Sequence, residues 1–121
     1  MHRCLVVDDS RVMRKVARAI LESLQLETAE AEGADAALAY CRESMPQMVL
    51  LNLNVAQMDA AGFVRTLRRQ RDGKQPFVMF STTENDIARI DEALSAGAND
   101  YVIKPFDRET IQAKLASAGL L

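Results

Sequence analysis

Four short apolar runs punctuate the chain, and each stops abruptly on polar residues. Arg3-Cys4-Leu5-Val6-Val7 ends at Asp8-Asp9, and Met48-Val49-Leu50-Leu51 ends at Asn52. Phe77-Val78-Met79-Phe80-Ser81 ends at Thr82-Thr83, and Tyr101-Val102-Ile103 ends at Lys104-Pro105. Continuous apolar runs of this length are the pattern of parallel strands covered on both faces. Leu26 to Ala31 is half-polar and reads as an edge strand.

Helical spacing fills the intervals. Ser10 is a good N-cap for a helix running to about Leu24, with Val12, Val16, Ala19, Ile20 and Leu24 expected toward the sheet. Gly33 opens an alanine-rich helix to about Glu43, and Pro46 resets the chain for the central strand. Asp59 begins the next helix, with Phe63, Val64 and Leu67 inward and Arg65, Arg68, Arg69 and Arg71 outward. Asp72-Gly73-Lys74 is turn chemistry, and Pro76 introduces the fourth strand. Glu84 to Ala96 reads as a helix stopped by Gly97, and Asp107 caps a last one that ends near Gly119. Five strand–helix alternations imply an α/β, doubly wound, five-stranded parallel sheet with five helices, in the flavodoxin-like order 2-1-3-4-5.

Composition narrows the setting. The 121 residues make one domain, 1–121, with no output domain expected after Leu121. A net charge of −2 argues against a generally basic nucleic-acid binder. No apolar run approaches the ~20 residues of a membrane span. Neither is a signal peptide recognised, and a cytoplasmic protein is expected. Cys4 and Cys41 fall in a predicted strand and helix and are expected to be reduced thiols. The lone histidine, His2, is expected to be solvated. The acidic residues Glu22, Glu27, Glu30, Glu32, Asp35 and Glu43 are expected to face only Arg42 and to make one corner negative.

The carboxyl ends of strands in open α/β sheets are where ligands sit, so Asp8, Asp9, Asn52, Thr82 and Lys104 are expected to converge. Asp8-Asp9 alone has two readings: acids favoured near a helix start, or oxygen ligands for a hard cation such as Mg²⁺. A hydroxyl at Thr82 and an ammonium at Lys104 are what a bound phosphoryl group needs opposite a metal. Lys104-Pro105 sets a restricted joint that admits a cis bond. Arg11, Arg14, Lys15 and Arg18 recur at helical spacing as a basic stripe, read either as a solvated face or as a docking surface.

Asp8-Asp9, Val49-Leu50-Leu51-Asn52, Met58-Asp59, Thr82, Ala96-Gly97-Ala98, Tyr101 and Lys104-Pro105-Phe106 together resemble the receiver domain of two-component response regulators. The resemblance covers essentially the whole chain and is nearest to single-domain receivers similar to the chemotaxis response regulator. Phe80-Ser81-Thr82-Thr83-Glu84-Asn85-Asp86 adds to it. It implies Mg²⁺ held by Asp8 and Asp9 with the side chain of Asn52 and the backbone carbonyl of Asn54. It also implies a phosphoryl group bonded by Thr82 and neutralised by Lys104, with Tyr101 turning inward on activation. The basic stripe would then meet a histidine kinase or phosphotransfer protein. The fourth helix, fifth strand and fifth helix would meet a downstream target protein.

One residue departs from that pattern. The family carries the phosphoacceptor aspartate where this chain has Asn52, and a neutral amide cannot form the acyl phosphate. Mg²⁺ would also be bound more weakly. Either a deliberate Asp-to-Asn replacement or a natural pseudo-receiver would account for it. Val55, Ala56 and Ala60 also depart from the common methionine, proline and glycine, which favours natural divergence. Such a chain could be locked in one conformer, respond to another ligand, or compete with a true receiver for a kinase. The alternative is a small flavodoxin-like nucleotide-binding protein or enzyme. Asp8-Asp9-Ser10 is ill suited to cradle a phosphate without a metal, and no Ser-His-Asp or Cys-His arrangement is present, so enzymatic activity is not expected.

Overall fold

The computed structural model describes residues 2–83 and 87–121. The elements alternate as β1 (Arg3–Val7), α1 (Arg11–Ser23), β2 (Glu27–Ala31), α2 (Ala34–Glu43), β3 (Met48–Asn52), α3 (Ala60–Arg69), β4 (Phe77–Thr82), α4 (Ile87–Ser95), β5 (Asp100–Ile103) and α5 (Arg108–Ser117). The strands form one parallel sheet in the order β2-β1-β3-β4-β5, the expected flavodoxin-like winding. The expected start of α4 at Glu84 lies outside the described residues, as do Glu84-Asn85-Asp86 of the quoted motif. Among the described residues no helix is long and apolar enough to cross a membrane.

Alternation along each strand divides the core in two. Leu5, Val7, Val49, Leu51, Val78 and Phe80 pack on one face with Leu38 of α2, Phe63, Val64 and Leu67 of α3, and Ala93 of α4. Cys4, Val6, Met48, Leu50, Met79 and Val102 pack on the other with Ala17 and Leu21 of α1 and Ile111 and Leu115 of α5. Both thiols are free and buried, and loss of hydration pushes them up, Cys4 to about 12 and Cys41 to about 11. Neither is a thiolate near neutral pH, so both serve as small core residues.

Caps fix where the helices begin. Ser10 Oγ accepts from the Met13 N–H, Asp59 from the Gly62 N–H and Asp107 from the Thr110 N–H. Gly97 ends the α4 turn at φ 121°, a conformation that L side chains rarely adopt.

Three sequence expectations are corrected. α1 is rotated: its buried stripe is Arg14, Ala17 and Leu21, continued by Leu24, whereas Val12 is 70% and Val16 42% exposed. Ala19 is exposed as well, and only Ile20 and Leu24 pack as expected. The aliphatic shaft of Arg14 can line a helix–sheet seam while its guanidinium reaches backbone and carboxylate partners, so an arginine occupies a position the pattern reserves for apolar residues. The basic stripe is therefore broken, because Arg14 is only 7% exposed.

The acidic corner is partly neutralised by the same helix. Arg14 Nε pairs with Glu30 at 2.8 Å, and Arg18 pairs with Glu30 at 2.5 Å and with Glu22 at 3.2 Å. These arginines, Arg14 foremost, hold the Glu30 carboxyl below the usual carboxylate range.

Arg68 does not point outward. Its guanidinium donates to the carbonyls of Gly73, Pro76 and Gly97 and to Asn99 Oδ1, tying the turn after α3 to the turn after α4.

Candidate functional site

The sheet register brings the polar strand ends together. Val7 lies beside Leu51, Asn52 beside Ser81, and Thr82 beside Ile103. Asp8, Asn52, Thr82 and Lys104 thus project at one edge from adjacent strands or the residues just beyond them. This is the convergence expected from the sequence.

Asp8 is 5% exposed, and its backbone N–H donates to the Ala31 carbonyl at 3.2 Å. Its Oδ1 accepts the Ser10 N–H at 2.9 Å, and its Oδ2 faces Lys104 Nζ at 3.2 Å. Its backbone carbonyl accepts from Arg14 Nη1 at 2.7 Å. Lys104 Nζ also donates to Asn52 Oδ1 at 3.3 Å, so one ammonium bridges the carboxylate and the amide. The Lys104 backbone N–H donates to the Thr82 carbonyl at 2.7 Å, which docks the base of that side chain on β4. Lys104-Pro105 is cis, as the restricted joint allowed.

Asp9 and Asn54 lie exposed at the rim, whereas Thr82 is 4% exposed. Tyr101 is half-buried, with its ring 5.9 Å from that of Phe80 and Lys114 Nζ 5.4 Å from its centroid. Of the basic residues assigned to α1, Arg11 and Lys15 are exposed. Arg14 turns inward to Asp8, and Arg18 is engaged by Thr28, Glu30 and Glu22.

Two residues were not assigned to this site from the sequence. Arg14 falls in the basic stripe by charge, although its spacing to Ala17 and Leu21 puts it on their stripe. Arg89 of α4 donates to the Leu53 carbonyl, just after Asn52, at 3.3 Å. No local signal marks that contact, which spans 36 residues.

The donors that could face a cation are all hard oxygens: the Asp8 and Asp9 carboxylates, the Asn52 amide oxygen and the Asn54 carbonyl. That set suits Mg²⁺, which takes few protein ligands and retains waters. It holds two carboxylates, and no group of three or more His, Cys, Asp or Glu side chains suited to a metal occurs among the described residues. The fit is therefore in kind, with little charge to spare once Lys104 engages Asp8.

Comparison with known proteins gives a consistent picture. Residues 4–116 match the model of the response regulator receiver domain. Chemotaxis protein CheY of Bacillus subtilis is 32% identical over 111 residues, covering 91% of each chain. The chain spans about half the length of the curated transcriptional regulators it matches, 46% of ycf27 of Porphyra purpurea and 51% of KdpE of Escherichia coli. Among solved structures, chemotaxis response regulator CheY4 of Vibrio cholerae superposes with a TM-score of 0.90 at 27% identity, covering 97% of this chain and 98% of that one. The receiver domain of a sensor histidine kinase from Pseudomonas aeruginosa, whose structure has a magnesium ion coordinated in its active site cleft, gives 0.87 at 25% identity. That match covers 96% of this chain and 95% of the other.

Proposed function

Because the chain belongs to the response regulator receiver domain family of two-component signalling, we propose that it is a cytoplasmic receiver module that binds partner proteins without accepting a phosphoryl group. The carrying observation is the neutral Asn52 amide bonded to Lys104 at 3.3 Å, beside Asp8, at the position we assign to the acceptor carboxylate from the motif resemblance. Covalent phosphorylation needs a carboxylate nucleophile, and the amide has none to offer. The surroundings keep the means to handle a phosphoryl group. Thr82 would bond one of its oxygens, and Lys104 would neutralise its charge. Mg²⁺, when bound, would supply further neutralisation of that charge. Asp8, Asp9, Asn52 Oδ1 and the Asn54 carbonyl would hold it, more weakly than a site with a third carboxylate. Tyr101, resting on Phe80, is the side chain we assign to the conformational switch.

The partner assigned is a histidine kinase or phosphotransfer protein, which this chain would occupy without draining its phosphoryl group. Arg11 and Lys15 flank the exposed Val12 and Val16 on α1, which gives an apolar strip edged by free cations. Such a strip suits the apolar, partly acidic face of a helical partner better than a nucleic acid. A downstream target protein would meet α4, β5 and α5.

Titration calorimetry against histidine kinases and phosphotransfer proteins from the same source tests this reading. Val12→Glu and the pair Arg11→Glu with Lys15→Glu are each expected to weaken binding tenfold or more, with Tm unchanged because these side chains are exposed. Undiminished binding in both variants would move the docking surface off α1.

A further inference from the structure

We propose that Arg14 is a positioning residue for Asp8, holding the acid pair from behind the strand end. The proposal rests on the reading of Asp8 and Asp9 as a divalent-cation site. Four groups fix Asp8, each on a different atom, and the Ala31 carbonyl of β2 is one of them, accepting the Asp8 N–H at 3.2 Å. The Ser10 N–H and Lys104 Nζ hold the two carboxylate oxygens, while Arg14 Nη1 holds the backbone carbonyl at 2.7 Å. The last bond is buried and charge-assisted, the strongest kind available to a loop carbonyl.

The guanidinium is itself oriented. Its Nε donates to Glu30 Oε1 at 2.8 Å, and Glu30 Oε2 is held in turn by Arg18 Nη1. Arg18 Nε donates to Thr28 Oγ1 at 2.9 Å, which completes the chain across the β2 edge. An arginine 7% exposed, with its planar fork aimed at one carboxylate and one carbonyl, has little freedom to reorient. The chain Arg18–Glu30–Arg14 therefore gives the turn after β1 a rigid backing on α1 and β2. Without it the Asp8 carbonyl loses its guanidinium partner, the peptide that follows gains freedom to tilt, and the carboxylate is held less closely to the position where Asp9 can act with it.

Two simpler roles for Arg14 predict different outcomes. If Arg14 acted only by its charge, its removal would take a cation away from an acidic site and tighten divalent binding. If it served stability alone, the folded protein would bind cations as before. Positioning predicts weaker binding from a variant that carries less positive charge, and this sign separates the three.

The experiment is Mn²⁺ binding followed by electron paramagnetic resonance on the native chain, Arg14→Lys and Arg14→Met. Amide hydrogen exchange at Ser10, measured without metal, is the second readout. Arg14→Met is expected to weaken Mn²⁺ binding at least fivefold and to speed Ser10 exchange at least tenfold. Arg14→Lys keeps the charge but not the fork and is expected to fall between. Unchanged or tighter Mn²⁺ binding together with unchanged Ser10 exchange would overturn the proposal, whatever happens to Tm. A native chain that binds no Mn²⁺ removes the cation reading of the acid pair, and Ser10 exchange then decides the positioning role by itself.

Discussion

Asn52→Asp is expected to tighten Mg²⁺ binding about tenfold or more, measured by titration calorimetry at fixed ionic strength. The substitution adds one negative charge beside Asp8, with almost no change of volume. A unit charge pair at 4 Å interacts by about 4 kcal/mol where the effective dielectric constant is about 20, and a divalent ion gains more. Most of this is offset. Lys104 Nζ, now 3.3 Å from Asn52 Oδ1, would be drawn to the new carboxylate, and both ions would give up hydration. A remainder of about 1.4 kcal/mol corresponds to the tenfold change. Equal affinities in the two forms would mean that the side chain at this position does not face the cation.

The second large effect concerns stability. Arg68→Met is expected to cost about 3 kcal/mol and to lower Tm by about 10 °C, as measured by calorimetry. Arg68 makes two bonds to the Gly97 carbonyl, at 3.1 and 2.8 Å, and single bonds to Pro76 at 2.8 Å and Gly73 at 3.0 Å. It also reaches Asn99 Oδ1 at 3.0 Å, the atom that accepts the Val78 N–H at the side of β4. Burial disfavours the charged guanidinium, so these contacts must outweigh a desolvation cost. Methionine fills much of the same volume and leaves three carbonyls short of a donor. Arg68→Lys keeps a charge but can satisfy fewer of them and is expected to recover less than half of the loss. Arg65→Met, three residues away on the exposed side, is expected to stay within about 0.5 kcal/mol. Similar losses for Arg65 and Arg68 would contradict the clamp.

Much of the fold was legible because the three central strands are buried on both faces. Met48-Val49-Leu50-Leu51 is apolar throughout and too short for a helix, which gives its depth, and its polar stop at Asn52 marks the carboxyl edge of the sheet. The convergence of Asp8, Thr82 and Lys104 was legible for the same reason, since parallel strands bring their polar carboxyl ends to one edge. Helix faces were harder. Val12 and Val16 lie on one stripe of α1, and Ala17, Leu21 and Leu24 lie on a neighbouring one. A hydrophobic pattern does not say which stripe meets the sheet when the deciding residue is Arg14. Arg68 illustrates the same limit. Its polarity is the same whether it meets water or the carbonyl of Gly97, 29 residues away. What the sequence records is chemical type; the partner is set by turns such as those at Gly73 and Gly97.

These corrections sharpen the functional account. Arg14 is committed to the interior and Arg18 to Glu30, so the docking surface we propose contracts to Arg11, Val12, Lys15 and Val16. The strand-end site gathers carboxylates, a hydroxyl and an ammonium around the Asn52 amide, which we propose stands at the acceptor position. The block to phosphorylation that we propose lies at a single atom, the amide nitrogen of Asn52.

Intact mass after incubation with Mg²⁺ and a small-molecule phosphoryl donor tests that claim most directly, run on this chain and on Asn52→Asp. No addition is expected to the native chain, and one phosphoryl group is expected on the variant. Addition to the native chain, or none to the variant, would contradict that claim.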